Sequence, residues 1–259
     1  MQNLNVTIIQ ANLIWEDAKA NRKNFDTIFK NIEPNTTDII VLPEMFSTGF
    51  TTQPNNLAEK PNGTTVNWMR SWAGRLNTAI VGSLIIEEKK QYYNRLIWMP
   101  PTGVPQHYNK KHLFSLAGEH HNYSAGQQRL YINNYKGWNI CPLICYDLRF
   151  PEWSRNINNY DLLLYVANWP VNRINAWNSL LKARAIENQT YTIGVNRVGK
   201  DGNNISYNGN SAAIDFKGHT MLNIADNEFV TTLTLQKEPL VNFRKRFPFL
   251  DDKDDKNLA

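Results

Sequence analysis

Trp138-Asn-Ile-Cys-Pro-Leu-Ile-Cys145-Tyr-Asp-Leu-Arg-Phe-Pro-Glu-Trp153 decides how this chain of 259 residues is read. Its first half is a nearly unbroken apolar run of strand length, which marks a strand buried on both faces. The run closes on Cys145, where a buried strand gives way to a helical turn. A thiol presented there is open to activation by a helix amino end and a neighbouring base. The other cysteine, Cys141, sits within the strand and reads as a buried structural thiol. Residues four apart in a strand share a face, an extended geometry that a disulfide between the two would fight. Two sulfurs without further Cys or His ligands at usual spacings also make a poor zinc site.

Similar apolar runs flank this stretch. Strands are expected at residues 6–9, 38–42 (stopped by Pro43), 78–86 and 161–167, with amphipathic helices over 17–32, 64–75 and 174–188. A hairpin should join 92–99 to 104–108 around Pro100-Pro-Thr-Gly103, and another 130–132 to 138–144 across Lys136-Gly137. Strands at 190–196, 212–215, 219–224 and 229–235, then a short helix at 239–247, complete the chain. Helices separate the early strands and hairpins dominate later, so a fully parallel doubly wound sheet is excluded. The pattern predicts an α/β fold in which two mixed β-sheets face each other with helices outside. No Pro/Gly/Ser-rich linker or repeat divides it, so residues 1–259 are expected to be one domain, with about 248–259 a polar C-terminal tail.

At 42% hydrophobic and 20% charged residues the chain is too apolar to remain disordered. No apolar run reaches the roughly 18 residues needed to span a bilayer. The amino terminus lacks a basic segment followed by a long apolar one, which points to a cytoplasmic protein without membrane partners. Lys+Arg 28 against Asp+Glu 23 leaves a net charge of +5. Those cations are scattered, which suits small anions and not nucleic acid.

Two further reactive groups follow apolar runs. Glu44 comes directly after Pro43, where partial burial would raise its proton affinity toward that of a general base. Lys110, or its neighbour Lys111, lies in Tyr108-Asn-Lys-Lys-His-Leu-Phe114 and could aim an ammonium at a developing oxyanion. Taken singly, each is equally a surface charge.

Taken together, Leu42-Pro-Glu-Met-Phe-Ser-Thr-Gly-Phe50, Tyr108-Asn-Lys-Lys-His-Leu-Phe114 and Cys145-Tyr-Asp-Leu-Arg-Phe-Pro-Glu-Trp153, in that order, resemble the nitrilase superfamily of carbon–nitrogen hydrolases. The resemblance implies a four-layer α-β-β-α sandwich, a homodimer or larger assembly, and chemistry without metal or organic cofactor. It implies Glu44 as general base, Lys110 as the lysine two places before His-Leu-Phe, and Cys145 as nucleophile. Glu119 is the only glutamate between Lys110 and Cys145 and inherits the family's second glutamate. An oxyanion would be met by Lys110 and the backbone N–H of Tyr146.

True nitrilases of the superfamily usually follow the cysteine with Trp-Glu; here it is Tyr146-Asp147. With Tyr165-Val-Ala-Asn-Trp-Pro170, this resembles the omega-amidase branch, which hydrolyses the terminal amide of 2-oxoglutaramate and 2-oxosuccinamate. A small anionic amide needs a cation and apolar walls. Arg149 and Arg173 are the candidate carboxylate partners, and Phe46, Phe114 and Trp169 the candidate walls. Three alternatives remain: an amidase or carbamoylase of the same superfamily with another small amide, a papain-like Cys–His hydrolase using one of five histidines, and an inactive binding protein on this fold.

Overall fold

The computed structural model describes residues 2–253. In the first half β1 (Leu4–Gln10), α1 (Ala18–Phe29), β2 (Ile39–Val41), α2 (Thr64–Leu76) and β3 (Ala79–Glu88) alternate, and β4 (Gln91–Met99) and β5 (Gln106–Asn109) fold back as hairpins. β1, β2 and β3 pair in parallel, and β4 and β5 extend that sheet antiparallel. The second half repeats the plan. After α3 (Glu119–Asn122) and β6 (Ile132–Tyr135), a parallel set forms from β7 (Trp138–Ile144), β8 (Leu162–Val166) and β9 (Tyr191–Val195). α4 (Pro151–Ser154) and α5 (Ile174–Glu187) lie on the connections between these strands. β10 (Val198–Lys200), β11 (Ser206–Ile214) and β12 (Thr220–Ala225) extend this second sheet. β13 (Phe229–Leu235) then crosses to pair antiparallel with β1, and α6 (Lys237–Arg246) follows it.

Alternation along β2 shows why its run is apolar throughout. Ile39 and Val41 join the core between the sheets, together with Val6, Val81 and Trp98 and with Ile140, Leu162 and Leu164 of the second sheet. Ile40 and Leu42 face the other way, onto Phe25 and Phe29 of α1 and Met69 and Trp72 of α2. A strand covered on both faces has no polar register. α5 covers the outside of the second sheet, Trp177 and Leu181 lying against Gly194 of β9. The layers are therefore helix, sheet, sheet, helix, as the motifs imply. Among the described residues no helix is long and apolar enough to cross a membrane.

Several boundaries differ from expectation. Val104 is 81% exposed and stays outside β5, which starts at Gln106. The strand expected at 130–132 instead runs Ile132–Tyr135. β11 begins at Ser206 and not 212, because its polar first half is held by pairing with β10, a strand too short to read. The chain is not yet a free tail at 248: Phe249–Asp252 forms a helical turn and Leu250 is buried, while 254–259 lies outside the described residues.

Phe46 is also corrected. Expected as a wall of the substrate pocket, it is fully buried in the outer layer, its ring edge-on to Phe25 at 5.5 Å. Gly82 of β3 makes room for it: a Cβ there would lie 2.8 Å from the Phe46 ring and 3.0 Å from Leu42. Gly82→Ala should therefore overpack this layer and cost about 1–3 kcal/mol. A lower urea midpoint at unchanged slope is the expected result; an unshifted midpoint would mean the ring has space to retreat.

Candidate active site

Three strand ends deliver the reactive groups. Beyond β2, Met45 turns through φ 43° with its N–H donating to Ser83 Oγ at 2.8 Å, and this turn holds the fully buried Glu44. Beyond β5, the Lys110 N–H still donates to the Asn94 carbonyl at 2.9 Å, so the edge ladder fixes the lysine backbone. Beyond β7, Cys145 itself adopts φ 41°. A non-glycine residue in that region stores about 1–3 kcal/mol of strain and persists only where its surroundings hold it.

The heads of these side chains meet. Lys110 Nζ donates to Glu44 Oε1 at 2.9 Å and to Glu119 at 3.1 Å (Oε1) and 2.9 Å (Oε2). Asn94 Nδ2 reaches Glu44 Oε1 at 2.8 Å and Glu119 Oε1 at 3.3 Å. The Phe114 N–H donates to Glu119 Oε2 at 2.6 Å, and the Asn168 N–H to Glu44 Oε2 at 2.9 Å. Cys145 lines the same cleft as Glu44, Lys110 and Asn168, and the Glu44 carboxylate and the Asn168 N–H both act on its thiol. Sequence reasoning assigned Glu44, Lys110, Glu119 and Cys145 to one site, and the structure brings all four together.

Burial and charge fix their protonation. Burial opposes the Lys110 ammonium, but Glu119 and Glu44 outweigh it and raise its proton affinity far above that of an ordinary lysine. Burial pushes the Glu119 carboxyl up against the pull of Lys110. Burial, reinforced by the facing Glu44 carboxylate, lifts the Cys145 thiol well above the usual range, with Lys110 opposing. At neutral pH the lysine therefore rests as an ammonium and the cysteine as a neutral thiol. Cys141 is pushed up to about 12 by burial and is inert.

Asp147, unmarked as a site residue by the motifs, ties together the segments that carry Lys110 and Cys145. Its Oδ2 accepts from Tyr108 Oη at 2.7 Å and from the Ile144 N–H at 3.0 Å; Oδ1 meets the His112 N–H at 3.1 Å and its Nδ1 at 2.8 Å. The loop carrying Lys110 and the turn carrying Cys145 thus share one buried anion. This arrangement also uses His112, whose ring stacks on Phe150 at 3.7 Å. No histidine lines the cleft among the described residues, which removes the papain-like alternative.

The cleft above the thiol has about 500 Å³ of space, counting its open mouth. Phe114, Tyr146, Arg149, Trp169 and Arg173 line it as expected. Arg149 lies over the Trp169 ring at 5.1 Å and Arg173 over the Phe114 ring at 5.0 Å. Neither guanidinium has a carboxylate partner among the described residues, so they are not the structural salt bridges that arginines so often make. Phe50, Asn168, Ile205 and Tyr207 also line the cleft. Asn168 sits next to the flagged Trp169, whereas Ile205 and Tyr207 arrive from β11 and its preceding loop with no motif to announce them.

A four-layer sandwich whose strand ends converge on Glu, Lys and Cys is the architecture of a cysteine-dependent amide hydrolase. Residues 5–244 match the family described as Carbon-nitrogen hydrolase, and this chain belongs to that family. It is 44% identical to an omega-amidase from Yersinia enterocolitica, covering 98% of each chain, and 30% identical to a 2-oxoglutaramate amidase from Bacillus subtilis, covering 95% and 96%. A crystal structure of a CN-hydrolase superfamily protein from Xanthomonas campestris, with an arsenic adduct in its active site, superposes with a TM-score of 0.96 at 41% identity over 98% of each chain.

The neutral resting thiol is measurable. Alkylation of Cys145 by iodoacetamide should be slow at pH 7 and still rising above pH 9. Glu44→Gln removes the facing carboxylate, so the profile should move to lower pH while amide turnover falls about 10²–10⁴-fold. A wild-type profile that levels off below pH 8 would contradict a thiol held neutral.

Proposed function

We propose that this protein is an omega-amidase, releasing ammonia from the terminal amide of small 2-oxo dicarboxylic acid monoamides such as 2-oxoglutaramate and 2-oxosuccinamate. One observation carries the reading: a buried Glu–Lys–Glu cluster faces a thiol at the floor of a cleft whose mouth holds two arginines without carboxylate partners. The amide goes to the thiol, and its anionic end goes to Arg149 and Arg173.

When substrate fills the cleft, Glu44 takes the thiol proton and Cys145 Sγ bonds to the amide carbon. The tetrahedral oxygen is met by Lys110 and the Tyr146 N–H. At rest the Lys110 N–H groups are turned to Glu44 and Glu119. One N–H can span both Glu119 oxygens, which leaves another for the oxyanion. Each such donor is worth about 10²–10³ in rate. The carbon–nitrogen bond then breaks, Glu44 returns its proton to the departing nitrogen, and ammonia leaves a thioester. Water, deprotonated by Glu44, attacks that thioester, giving the keto acid and the free thiol. Glu119 fixes Lys110 throughout. The sequence of steps needs neither metal nor organic cofactor. The same reading makes the protein a cytoplasmic homodimer.

Ammonia release from 2-oxoglutaramate, 2-oxosuccinamate, glutamine, asparagine and a neutral aliphatic amide tests it. The 2-oxo monoamides should have the highest kcat/KM; equal or better use of a carbamoylated amine or neutral amide would overturn the assignment. Hydrogen bonds to charged groups contribute about 1.5–3 kcal/mol, so Arg173→Ala should raise KM for 2-oxoglutaramate about 10–100-fold and leave the neutral amide within about twofold. An equal rise for both substrates would remove Arg173 as the anchor and leave Arg149.

A further inference from the structure

A carboxylate offers about four lone-pair sites, two on each oxygen. On Glu119, Oε1 accepts from Lys110 at 3.1 Å and Asn94 at 3.3 Å, and Oε2 from Lys110 at 2.9 Å and the Phe114 N–H at 2.6 Å. All of its capacity is used. On Glu44, Oε1 accepts from Lys110 at 2.9 Å and Asn94 at 2.8 Å and is likewise full. Glu44 Oε2 accepts only from the Asn168 N–H at 2.9 Å. One lone pair in the cluster is therefore open, on the Glu44 oxygen that the Asn168 N–H binds, and both this N–H and the Glu44 carboxyl act on the Cys145 thiol.

We propose that Asn94 is a positioning residue for Glu44: its side-chain amide occupies Glu44 Oε1 and Glu119 Oε1, and so reserves Glu44 Oε2 for the Cys145 proton. The proposal rests on the reading of Glu44 as general base. Asn94 is fully buried, and its backbone carbonyl takes the Lys110 N–H at 2.9 Å, so one residue of β4 sets both the lysine backbone and the carboxylates around its head. The amide orientation follows from its neighbours, since a flipped group would aim an oxygen at two carboxylates. In this orientation Asn94 Oδ1 is buried without a partner among the described residues. An unpaired buried acceptor destabilises the fold, so stability alone does not account for the residue. The ionisable groups around the amide are Glu44, Glu119 and Lys110, with Cys145 beyond Glu44; Tyr123, close to Glu119, gives its hydroxyl to the Thr51 carbonyl at 2.9 Å. Without Asn94, Glu44 Oε1 gains an open lone pair and the proton can settle beside Glu119, away from the sulfur.

Asn94→Leu, which removes both donors at similar volume, and Asn94→Ser, which keeps one, test this, with rates normalised to Cys145 sites titrated by alkylation. Per titrated site, kcat for 2-oxoglutaramate should fall about 10²-fold in the leucine variant and about tenfold in the serine variant. KM should stay within about twofold, and the acid limb of kcat/KM should move up by about one pH unit. A purely structural role would reduce the number of titratable sites and leave per-site kcat and the acid limb unmoved, and that result overturns the proposal. A fall in kcat with a fixed acid limb overturns it too. Glu44→Gln run in parallel separates the two levels: full turnover there sinks the general-base reading itself, whereas its inactivity beside unaffected Asn94 variants sinks only the role of Asn94. If the variants do not accumulate, a crystal structure of Cys145→Ala with bound 2-oxoglutaramate decides. Glu44 Oε2 nearest the scissile amide with Asn94 on Oε1 supports the proposal; Oε1 nearest the amide overturns it.

Discussion

The Lys110 ammonium, held 2.9 Å from Glu44 and 2.9 Å from Glu119 with none of the three exposed to solvent, is the interaction on which the rest of the site depends. Such a cluster is not a source of stability. Taking three charges out of water costs several kcal/mol each, and their attraction offsets this only with good geometry and further donors. Asn94, the Phe114 N–H and the Asn168 N–H supply those donors. What the cluster provides is a fixed field: a permanent cation beside the reacting centre and a base whose proton partner is a thiol too buried to ionise alone. Charge separation then awaits substrate, and the unoccupied enzyme is spared a reactive thiolate.

The fold places this field through its strand ends. β2, β5 and β7 each stop at the residue or residues before a functional side chain, and the left-handed backbone at Met45 and Cys145 turns those side chains sharply out of their sheets. Two sheets facing each other bring β5 and β7 close enough for Asp147 to bind both following loops. Strain at the cysteine is tolerated because its turn is tied on both sides, by the Asp147 carboxylate and by the helices that follow. Stability in the sandwich core thus supports a locally unfavourable backbone at the place where chemistry occurs.

Much of this was legible in the primary structure, for physical reasons. Doubly covered strands such as β2 and β8 are apolar at every position, and β7 at every position but Asn139, so they stand out whatever the register. Glu44, Lys110, Glu119 and Cys145 were legible because each lies in or beside a motif. Phe46 was misplaced because adjacency to Glu44 says nothing about direction: a turn of one residue sends it under α1 and α2. Asn94 and Tyr207 were invisible for the opposite reason, since they sit in strands whose polar residues look solvent-facing until the facing sheet covers them. The arginines needed coordinates as well, because only the absence of a carboxylate partner distinguishes an anion anchor from a surface ion pair.

In the proposed mechanism the cluster lets Cys145 carry the acyl group. Acid quenching of the enzyme within one turnover of 2-oxoglutaramate, followed by mass spectrometry of its peptides, tests this directly. The expected result is a peptide containing Cys145 heavier by the substrate less ammonia, formed with a burst of ammonia equal to the enzyme sites. Ammonia released at full rate with no mass on Cys145, or with the acyl group on another residue, would contradict it.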